Sequence, residues 1–338
     1  MNSSNEALPA GGPRTGQGGT GRFSARSHSG SRSLLSGDRV FFVIVLLLAV
    51  AVLAIAGIMF LVLGEGAWDA IGAYGSSFIW ATEWDVYRGE FGAAPFIVGT
   101  LLTSFGALLL AVPLALAAAL FVTEYAPRWL AEPVSYLVEL LAAIPSVVYG
   151  LWGIFVLVPA VRALQIWLMQ TPGLGQLPFL RSAPSGLGLF TAIIILTVMI
   201  VPFTASVARD VIRLVPRDQR EAAYALGGTK WEVIRSAVLP YARAGIFGGV
   251  ILSLGRALGE TMAVTMVIGN RVDFPSGLFA STATMASIIA NEFAEALGAM
   301  HVSALMYVGL LLFILSIIVN YLARLLIRRL SPQHGGAR

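Results

Sequence analysis

Six long apolar runs, separated by shorter polar segments, set the pattern of this chain. A helix needs roughly 20 residues to cross the hydrocarbon core of a bilayer, which is about 30 Å thick. The runs that reach this length are Val40–Leu63, Ala94–Val122, Val134–Val161, Leu187–Ala208, Ala244–Gly269 and Val302–Leu322. The pattern therefore predicts an all-α, polytopic membrane protein with six transmembrane helices.

The second, third and fourth runs contain prolines, at Pro113, Pro145, Pro159 and Pro202. Proline is tolerated inside a membrane helix where neighbouring groups satisfy the backbone carbonyls that it frees. We therefore expect these three helices to be kinked and to pack around a pathway.

The composition agrees with a membrane protein and excludes several kinds of site. The mean hydropathy is +0.82, and 57% of the residues are hydrophobic. The chain has no cysteine, which excludes disulfides and thiolate metal sites. His28, His301 and His334 are scattered and form no ligand cluster, so we expect no metal and no cofactor. For His301, a buried interface or headgroup-level position is favoured over a functional role.

Basic residues are distributed unevenly between the two sides that the six runs define. Seventeen of them fall on one side: Arg14, Arg22, Arg26, Arg32, Arg39, Arg128, Arg324, Arg328, Arg329, Arg338 and the seven between positions 209 and 243. The other side has only Arg88, Arg162, Arg181 and Arg271. Because basic loops stay in the cytoplasm, both termini are predicted to be cytoplasmic. The basic excess indicates contact with anionic lipid and gives no support for a nucleic-acid partner.

The domain organisation follows from the same pattern. Residues 1–37 are rich in Gly, Ser and Arg and are predicted to be a disordered cytoplasmic tail. Residues 38–330 form the transmembrane domain, and residues 331–338 form a short cytoplasmic tail. The first apolar run is too long for a cleavable signal and is interpreted as a retained anchor. The segment 162–186 is predicted to be an irregular external loop.

A polar island between Arg209 and Arg243 carries seven Lys or Arg residues in a chain that is only 12% charged. Pro216 is suited to open a helix, because a first-turn proline loses no hydrogen bond. Residues Arg217 to Leu226 can form a short amphipathic helix, and Gly227 can end it in the left-handed conformation. Thr229 is then predicted to cap a second helix, with Glu232 reaching back to it, until Pro240 interrupts that helix.

The island also carries a recognisable motif. Glu221, Ala222 and Ala223 are followed by three residues, Gly227, nine residues, and a segment that ends in Leu239 and Pro240. This spacing resembles the "EAA" signature of ABC-importer permeases, although Ala237 stands where the family usually has Ile. The resemblance implies that these six residues form a coupling loop for an ATPase. An ordinary cytoplasmic helical hairpin with nothing bound is the alternative.

Further segments narrow the resemblance. They are Phe78–Asp85, Phe121–Pro127, Leu137–Gly153, Gly255–Asn270 and Ala290–Met306. All of them are similar to the PstC-type permease subunit of the phosphate-specific ABC importer, and the resemblance runs from about residue 40 to the C-terminus.

The resemblance implies a type I ABC-importer permease fold in a bacterial or archaeal plasma membrane. It implies an ATP-driven phosphate importer in which this chain forms half of the pathway and works by alternating access. The expected partners are a PstA-like permease, two copies of a cytoplasmic ABC ATPase and an extracytoplasmic phosphate-binding protein. The chain has no Walker A sequence and is expected to be a transport subunit, not an enzyme.

Other functions stay open at this point. A homologous permease could carry another oxyanion, such as molybdate or sulfate. An ion-coupled secondary transporter would suit intramembrane charges but has no need of an EAA loop. A membrane-embedded enzyme is disfavoured, because no nucleophile–base constellation stands out.

Two charged residues, Arg256 and Glu260, lie in the fifth apolar run. Residues four apart share one face of a helix, so the two are expected to pair. Ionisable residues inside a membrane usually pair or line a wet cavity. In one interpretation the pair is structural. In the other interpretation, which the resemblance favours, Arg256 attracts phosphate on the substrate pathway. Glu260 then holds the side chain of Arg256 in place.

Overall fold

The computed structural model describes the backbone of residues 34–171 and 182–330, and the side chains of residues 38–171 and 182–325. Most of the predicted N-terminal tail, the middle of the external loop and the predicted C-terminal tail lie outside the described residues. The first helix begins at Leu34, inside the segment predicted as tail.

The described part of the chain is almost entirely helical. The helices are α1 (Leu34–Gly66), α2 (Trp68–Tyr74), α3 (Ser77–Trp80), α4 (Ala94–Leu120), α5 (Arg128–Ala143), α6 (Ser146–Trp152), α7 (Val158–Gln170), α8 (Leu189–Arg213), α9 (Arg217–Ala225), α10 (Lys230–Val233), α11 (Leu239–Leu258), α12 (Met262–Val267), α13 (Met285–Glu292) and α14 (Ala299–Leu330). Three π-helical segments join some of them: π1 (Phe121–Tyr125), π2 (Gly153–Leu157) and π3 (Ile234–Val238). Two short antiparallel strands, β1 (Trp84–Asp85) and β2 (Glu90–Phe91), form a hairpin.

Six helices are long and apolar enough to cross a membrane, which confirms the predicted fold class. They run over Asp38–Gly66, Ala94–Tyr125, Ser146–Gln170, Leu189–Arg213, Lys230–Leu258 and Ala299–Leu325. The described residues up to Ala56 form a unit of their own, and the described residues from Gly57 onward form the second. In the first unit, the side chains from Val40 to Ile55 are exposed, as lipid-facing or partner-facing residues would be.

The prediction for the third span was wrong in its extent. The run Val134–Val161 is not one helix, because α5 ends at Ala143 and α6 begins at Ser146. Ile144 between them is extended, with a ψ of 132°. The ring of Pro145 disfavours helical geometry at the preceding residue, so the helix stops there. The spanning helix is Ser146–Gln170, and α5 is a separate element.

The fifth span also differs from its prediction. It begins at Lys230 and ends at Leu258, so it is continuous with the second half of the polar island. Pro240 does not interrupt it, because π3 lies immediately before α11 and Ser236, four residues before the proline, falls inside π3. A π turn changes the carbonyl pattern that an interior proline would otherwise clash with. The helix ends at Leu258, and after a short non-helical segment that begins at Gly259 the chain forms α12.

Small residues allow the central helices to approach closely. Four alanines at a spacing of four, Ala107, Ala111, Ala115 and Ala119, are buried along α4, which packs along α8. On α11, which also packs against α8, a Cβ on Gly249 would lie 2.7 Å from a side-chain carbon of Val207. Such stripes of small residues permit tight packing of membrane helices. As a result α8 is the most buried of the six spans.

The two ends of this bundle differ. The end formed by residues 214–229 is called the loop end below. At the opposite end, the hairpin β1–β2 packs with α2, α3, α13 and the start of α14 around a cluster of aromatic residues. His301 is buried there, and its Nε2 lies 2.8 Å from Glu292 Oε2, which also accepts a 2.9 Å hydrogen bond from Trp84 Nε1. The position of His301 agrees with the structural interpretation.

The hairpin is acidic on its outer surface. The pKa of Glu90 is raised above its usual range, chiefly because Glu83 shares a hydrogen bond with it and also places a negative charge nearby. Two carboxyl groups in contact favour the protonated form of one of them.

Candidate functional site

The helical hairpin predicted for the polar island is present at the loop end. Pro216 is the N-cap of α9, and the helix ends where Gly227 takes a left-handed φ of 82°. The N–H of Gly227 donates to the carbonyl of Tyr224 at 2.9 Å, and that of Gly228 donates to Ala223 at 3.3 Å. A glycine adopts this backbone conformation without the strain that a Cβ would add.

The predicted capping box at the second helix is also present. The carboxylate of Glu232 accepts hydrogen bonds from the backbone N–H and the hydroxyl of Thr229, both at 2.7 Å. The hydroxyl of Thr229 in turn accepts from the N–H of Glu232. The box fixes the direction in which the chain leaves the turn and enters the fifth span.

The hairpin presents apolar side chains to solvent. No residue of α9 is buried, and Leu226 after it is 90% exposed. Tyr224 and Trp231 on either side of the turn are about half exposed, and Leu214 before α9 is also exposed. We call these four residues, Leu214, Tyr224, Leu226 and Trp231, the apolar loop patch. They lie within 18 positions of one another around a single turn, which makes this end of the molecule a candidate interaction surface.

The six motif residues divide between two places. Glu221 and Ala222 are exposed on α9, Ala223 is half-buried, and Gly227 forms the turn. Leu239 and Pro240 lie at the start of α11 within the fifth span. The buried residues just before them, Val233, Ile234 and Val238, anchor the hairpin. The first half of the motif therefore lies on the surface of the hairpin. The second half lies in the fifth span, next to the residues that anchor the hairpin.

The sequence reasoning missed an ion pair that fastens α5. Arg209 Nη2, near the end of α8, lies 2.7 Å from Glu139 Oε1 on α5 and 2.9 Å from Asp210 Oδ1. The Arg209 side chain is 8% exposed, while the two carboxylates remain half exposed. The residues are 70 positions apart, and Glu139 was assigned to a spanning helix, so no local signal linked them.

The second predicted site lies at the break between α11 and α12. Ser253 Oγ is 2.6 Å from Thr204 Oγ1 in the middle of α8, and the break begins five residues after Ser253. It therefore lies within the spanning part of the bundle. Discontinuous helices at this depth are a common way to build a transport site.

The predicted pairing of Arg256 with Glu260 is wrong. Arg256 is in the last turn of α11, but Glu260 lies beyond the helix end at Gly259, so the two do not share a helix face. Glu260 Oε1 instead accepts a 3.1 Å hydrogen bond from the N–H of Ala263, in the first turn of α12. The guanidinium carbon of Arg256 lies 5.7 Å from the centre of the Phe203 ring.

Arg256 is thus a half-buried cation that makes no ion pair within the described part of the chain. A charge inside the membrane region needs a partner or a wet cavity. The face of the Phe203 ring compensates the charge of Arg256 only in part. The geometry leaves the guanidinium able to bind an anion. Across residues 38–171 and 182–325, no group of three or more acidic or histidine side chains could hold a metal ion.

Residues 111–332 match the family described as "Binding-protein-dependent transport system inner membrane component". The chain is 48% identical over 275 residues to the phosphate transport system permease protein PstC of Pasteurella multocida, covering 80% of this chain and 85% of that protein. It is 44% identical over 303 residues to PstC of Mesorhizobium japonicum, covering 88% and 92%.

Solved structures support the fold. A bacterial alginate ABC transporter, in complex with an alginate pentasaccharide-bound periplasmic protein, gives a TM-score of 0.55 at 18% identity over 87% of this chain and 96% of that chain. The MetNI methionine ABC transporter in an inward-facing conformation gives 0.52 at 20% identity over 71% and 95%.

Proposed function

Because the chain belongs to the family of binding-protein-dependent transport system inner membrane components, and within it to the PstC-type permeases, we propose that it forms one transmembrane half of an ATP-driven phosphate importer. The observation that carries this proposal is the 48% identity to a phosphate permease over most of both chains. Neither molybdate nor sulfate, the alternatives that the sequence left open, has comparable support.

The loop end provides the surface that contacts the ATPase. We propose that the apolar loop patch, together with Glu221, docks in a groove of a cytoplasmic ABC ATPase, one of two copies in the complex. A short helix that is largely exposed and is followed by a capped turn can move as a rigid unit. The loop end would then be cytoplasmic, in agreement with its basic residues.

The opposite end receives the substrate. An extracytoplasmic phosphate-binding protein would deliver phosphate there, to a pathway shared with a PstA-like permease. ATP binding would draw the two coupling loops together and turn the pathway from inward-facing to outward-facing. Rigid-body movement of this kind needs helices that keep their packing, which the alanine stripe of α4 and the buried α8 provide.

Arg256 and Glu260 have different parts in this pathway. Arg256 would attract the anion as it passes the break, since a cation and an anion 4 Å apart attract by about 4 kcal/mol at an effective dielectric constant of 20. Glu260 would fix the break by accepting from the first turn of α12. Its negative charge near the site would also limit how tightly phosphate is held.

Purification and reconstitution test the proposal. The chain is co-expressed with its neighbouring transport genes, purified, and assayed for bound ATPase. The complex is then placed in vesicles with binding protein, and uptake of labelled phosphate is measured with and without ATP. We expect ATP-dependent uptake that excess unlabelled phosphate suppresses and that sulfate and molybdate do not. Absence of an ATPase, or suppression by sulfate, would contradict it.

A further inference from the structure

The attachment of α9 to the rest of the molecule rests on very few contacts. The helix has no buried residue, and its residues are exposed except for Arg220 and Ala223, which are half-buried. Arg220 is the residue whose side chain reaches into the bundle. The helix also lies against π3 and α10, and Arg220 adds a side-chain link from it to α4 and α8.

Arg220 binds two spanning helices at once. Its Nη1 lies 2.7 Å from Oε1 of Glu124, in π1 at the end of α4. Its Nη2 donates a 2.9 Å hydrogen bond to the carbonyl of Ile212, in the last turn of α8. The last carbonyls of a helix have no partner within the helix, so this bond satisfies a group that would otherwise be free.

The pair between Arg220 and Glu124 is well shielded. The side chain of Arg220 is 24% exposed and that of Glu124 is 10% exposed. Charged hydrogen bonds of this length are strong and directional. Removal of one partner would leave a shielded charge without compensation.

The second helix of the hairpin contacts the same segment. The Nζ of Lys230, at the start of α10, lies 4.8 Å from the centre of the Tyr125 ring, within the range of a cation–π interaction. Glu124 and Tyr125 are adjacent, so both halves of the hairpin bind neighbouring residues of π1. The capping box on Thr229 makes these two halves one body.

We propose that π1 is the receiver of the coupling movement, and that the ion pair between Arg220 and Glu124 is the link that carries it into α4. This inference rests on the proposed function. π turns occur often at functional sites, and π1 forms the end of α4, where Ala126 is extended. Since α4 packs along α8 over most of its length, a displacement of π1 is carried into the central pair of helices.

Charge-neutral and charge-swapped variants test the link. Arg220→Gln and Glu124→Gln each remove one charge and keep a polar side chain of similar length. Arg217→Gln, on the same helix but exposed and without an ion pair among the described residues, is the matched control. Each complex is purified, checked for bound ATPase and for its thermal unfolding temperature, and assayed for phosphate uptake per ATP hydrolysed.

We expect both single variants to keep the ATPase and to continue hydrolysis, while uptake per ATP falls about tenfold, a size usual for coupling between distant sites. The double variant Arg220→Glu with Glu124→Arg should recover the part of the loss that is due to the ion pair, but not the part due to the bond with the Ile212 carbonyl, to which a carboxylate cannot donate. Arg217→Gln should match the wild type. Normal uptake per ATP in the single variants would overturn the inference. Loss of bound ATPase in them would also overturn it, because the pair would then act in docking.

A distance measurement gives an independent readout. The chain has no cysteine, so labels can be placed by single substitutions, here Leu109→Cys on α4 and Ile317→Cys on α14, both exposed. We expect an ATP-dependent change in the label distance in the wild-type background and its loss with Arg220→Gln. An unaltered change in the variant would overturn the inference. A wild-type chain that brings no ATPase would instead refute the proposed function.

Discussion

Substitution of Gly227 should uncouple ATP hydrolysis from transport by acting on the backbone alone. This glycine has a φ of 82°, and a Cβ built on it would meet no atom within 4 Å. A larger side chain therefore meets no steric obstacle in the surroundings. Within this chain the effect should come from the left-handed conformation, which L-residues adopt at a cost of roughly 1–2 kcal/mol.

The loss of coupling should depend on how well the residue introduced at position 227 tolerates the left-handed conformation. Gly227→Asn keeps the turn at small cost, because asparagine tolerates left-handed geometry. Gly227→Val adds a β-branched side chain, for which such a conformation is an outlier, with a strain of about 1–3 kcal/mol. Gly227→Pro cannot adopt the observed φ, since its ring fixes φ near −65°. A loss of about 1.4 kcal/mol already reduces the population of the native turn tenfold relative to alternatives.

The assay is uptake of phosphate per ATP hydrolysed, in complexes matched for expression and bound ATPase. We expect the order wild type, Asn, Val, Pro, with Asn near wild type and Pro nearly uncoupled. The turn would be only a linker if Gly227→Val retained normal uptake at normal expression. If Asn and Val lost activity equally, the reasoning from φ would fail as well.

Three further predictions concern other parts of the molecule. Reporters at Gly228 should be accessible only from the cytoplasm and reporters at Tyr87 only from outside; labelling of Gly228 in intact cells would contradict the orientation. Arg256→Gln should abolish uptake in an assembled complex, and Glu260→Gln should change uptake without releasing subunits, as checked by co-purification; dissociation in both would mean that these residues are structural. Gly249→Ile should lower the thermal unfolding temperature, because its Cβ would lie 2.7 Å from a valine of α8, whereas Gly248→Ala, which has open space, should leave it unchanged.

The number and type of the spanning helices could be predicted from sequence because hydropathy depends on residues close together in the chain. The second span was predicted to begin at Ala94, and it does. At Pro145 only a kink was predicted, not the end of a helix, and the break at Gly259 was not predicted, since both positions fall within continuous apolar runs and hydropathy does not report backbone geometry. The extended Ile144 before Pro145 was a readable signal, because proline restricts the residue that precedes it.

The coupling hairpin was predictable for a related reason. Its helix start, its glycine turn and its capping box are all determined by residues within four positions of one another. The contacts that connect it to the bundle are not local. Glu124 and Arg220 are separated by 96 positions, and Glu139 and Arg209 by 70. Periodicity cannot relate such residues, so only the packed structure brings them together.

The Leu-Pro end of the EAA motif has a structural explanation in the π turn that precedes it. π3 brings Val233, Ile234 and Val238 to the buried side at the base of the hairpin, while Trp231 stays exposed. With Pro240 two residues after π3, the fifth span runs on without interruption from the capped turn at Thr229 to the break after Leu258. Movement at the loop end can therefore reach Arg256 along a single helix. Of the motif residues, Leu239, which is half-buried, and Pro240, which is exposed, lie within this continuous stretch.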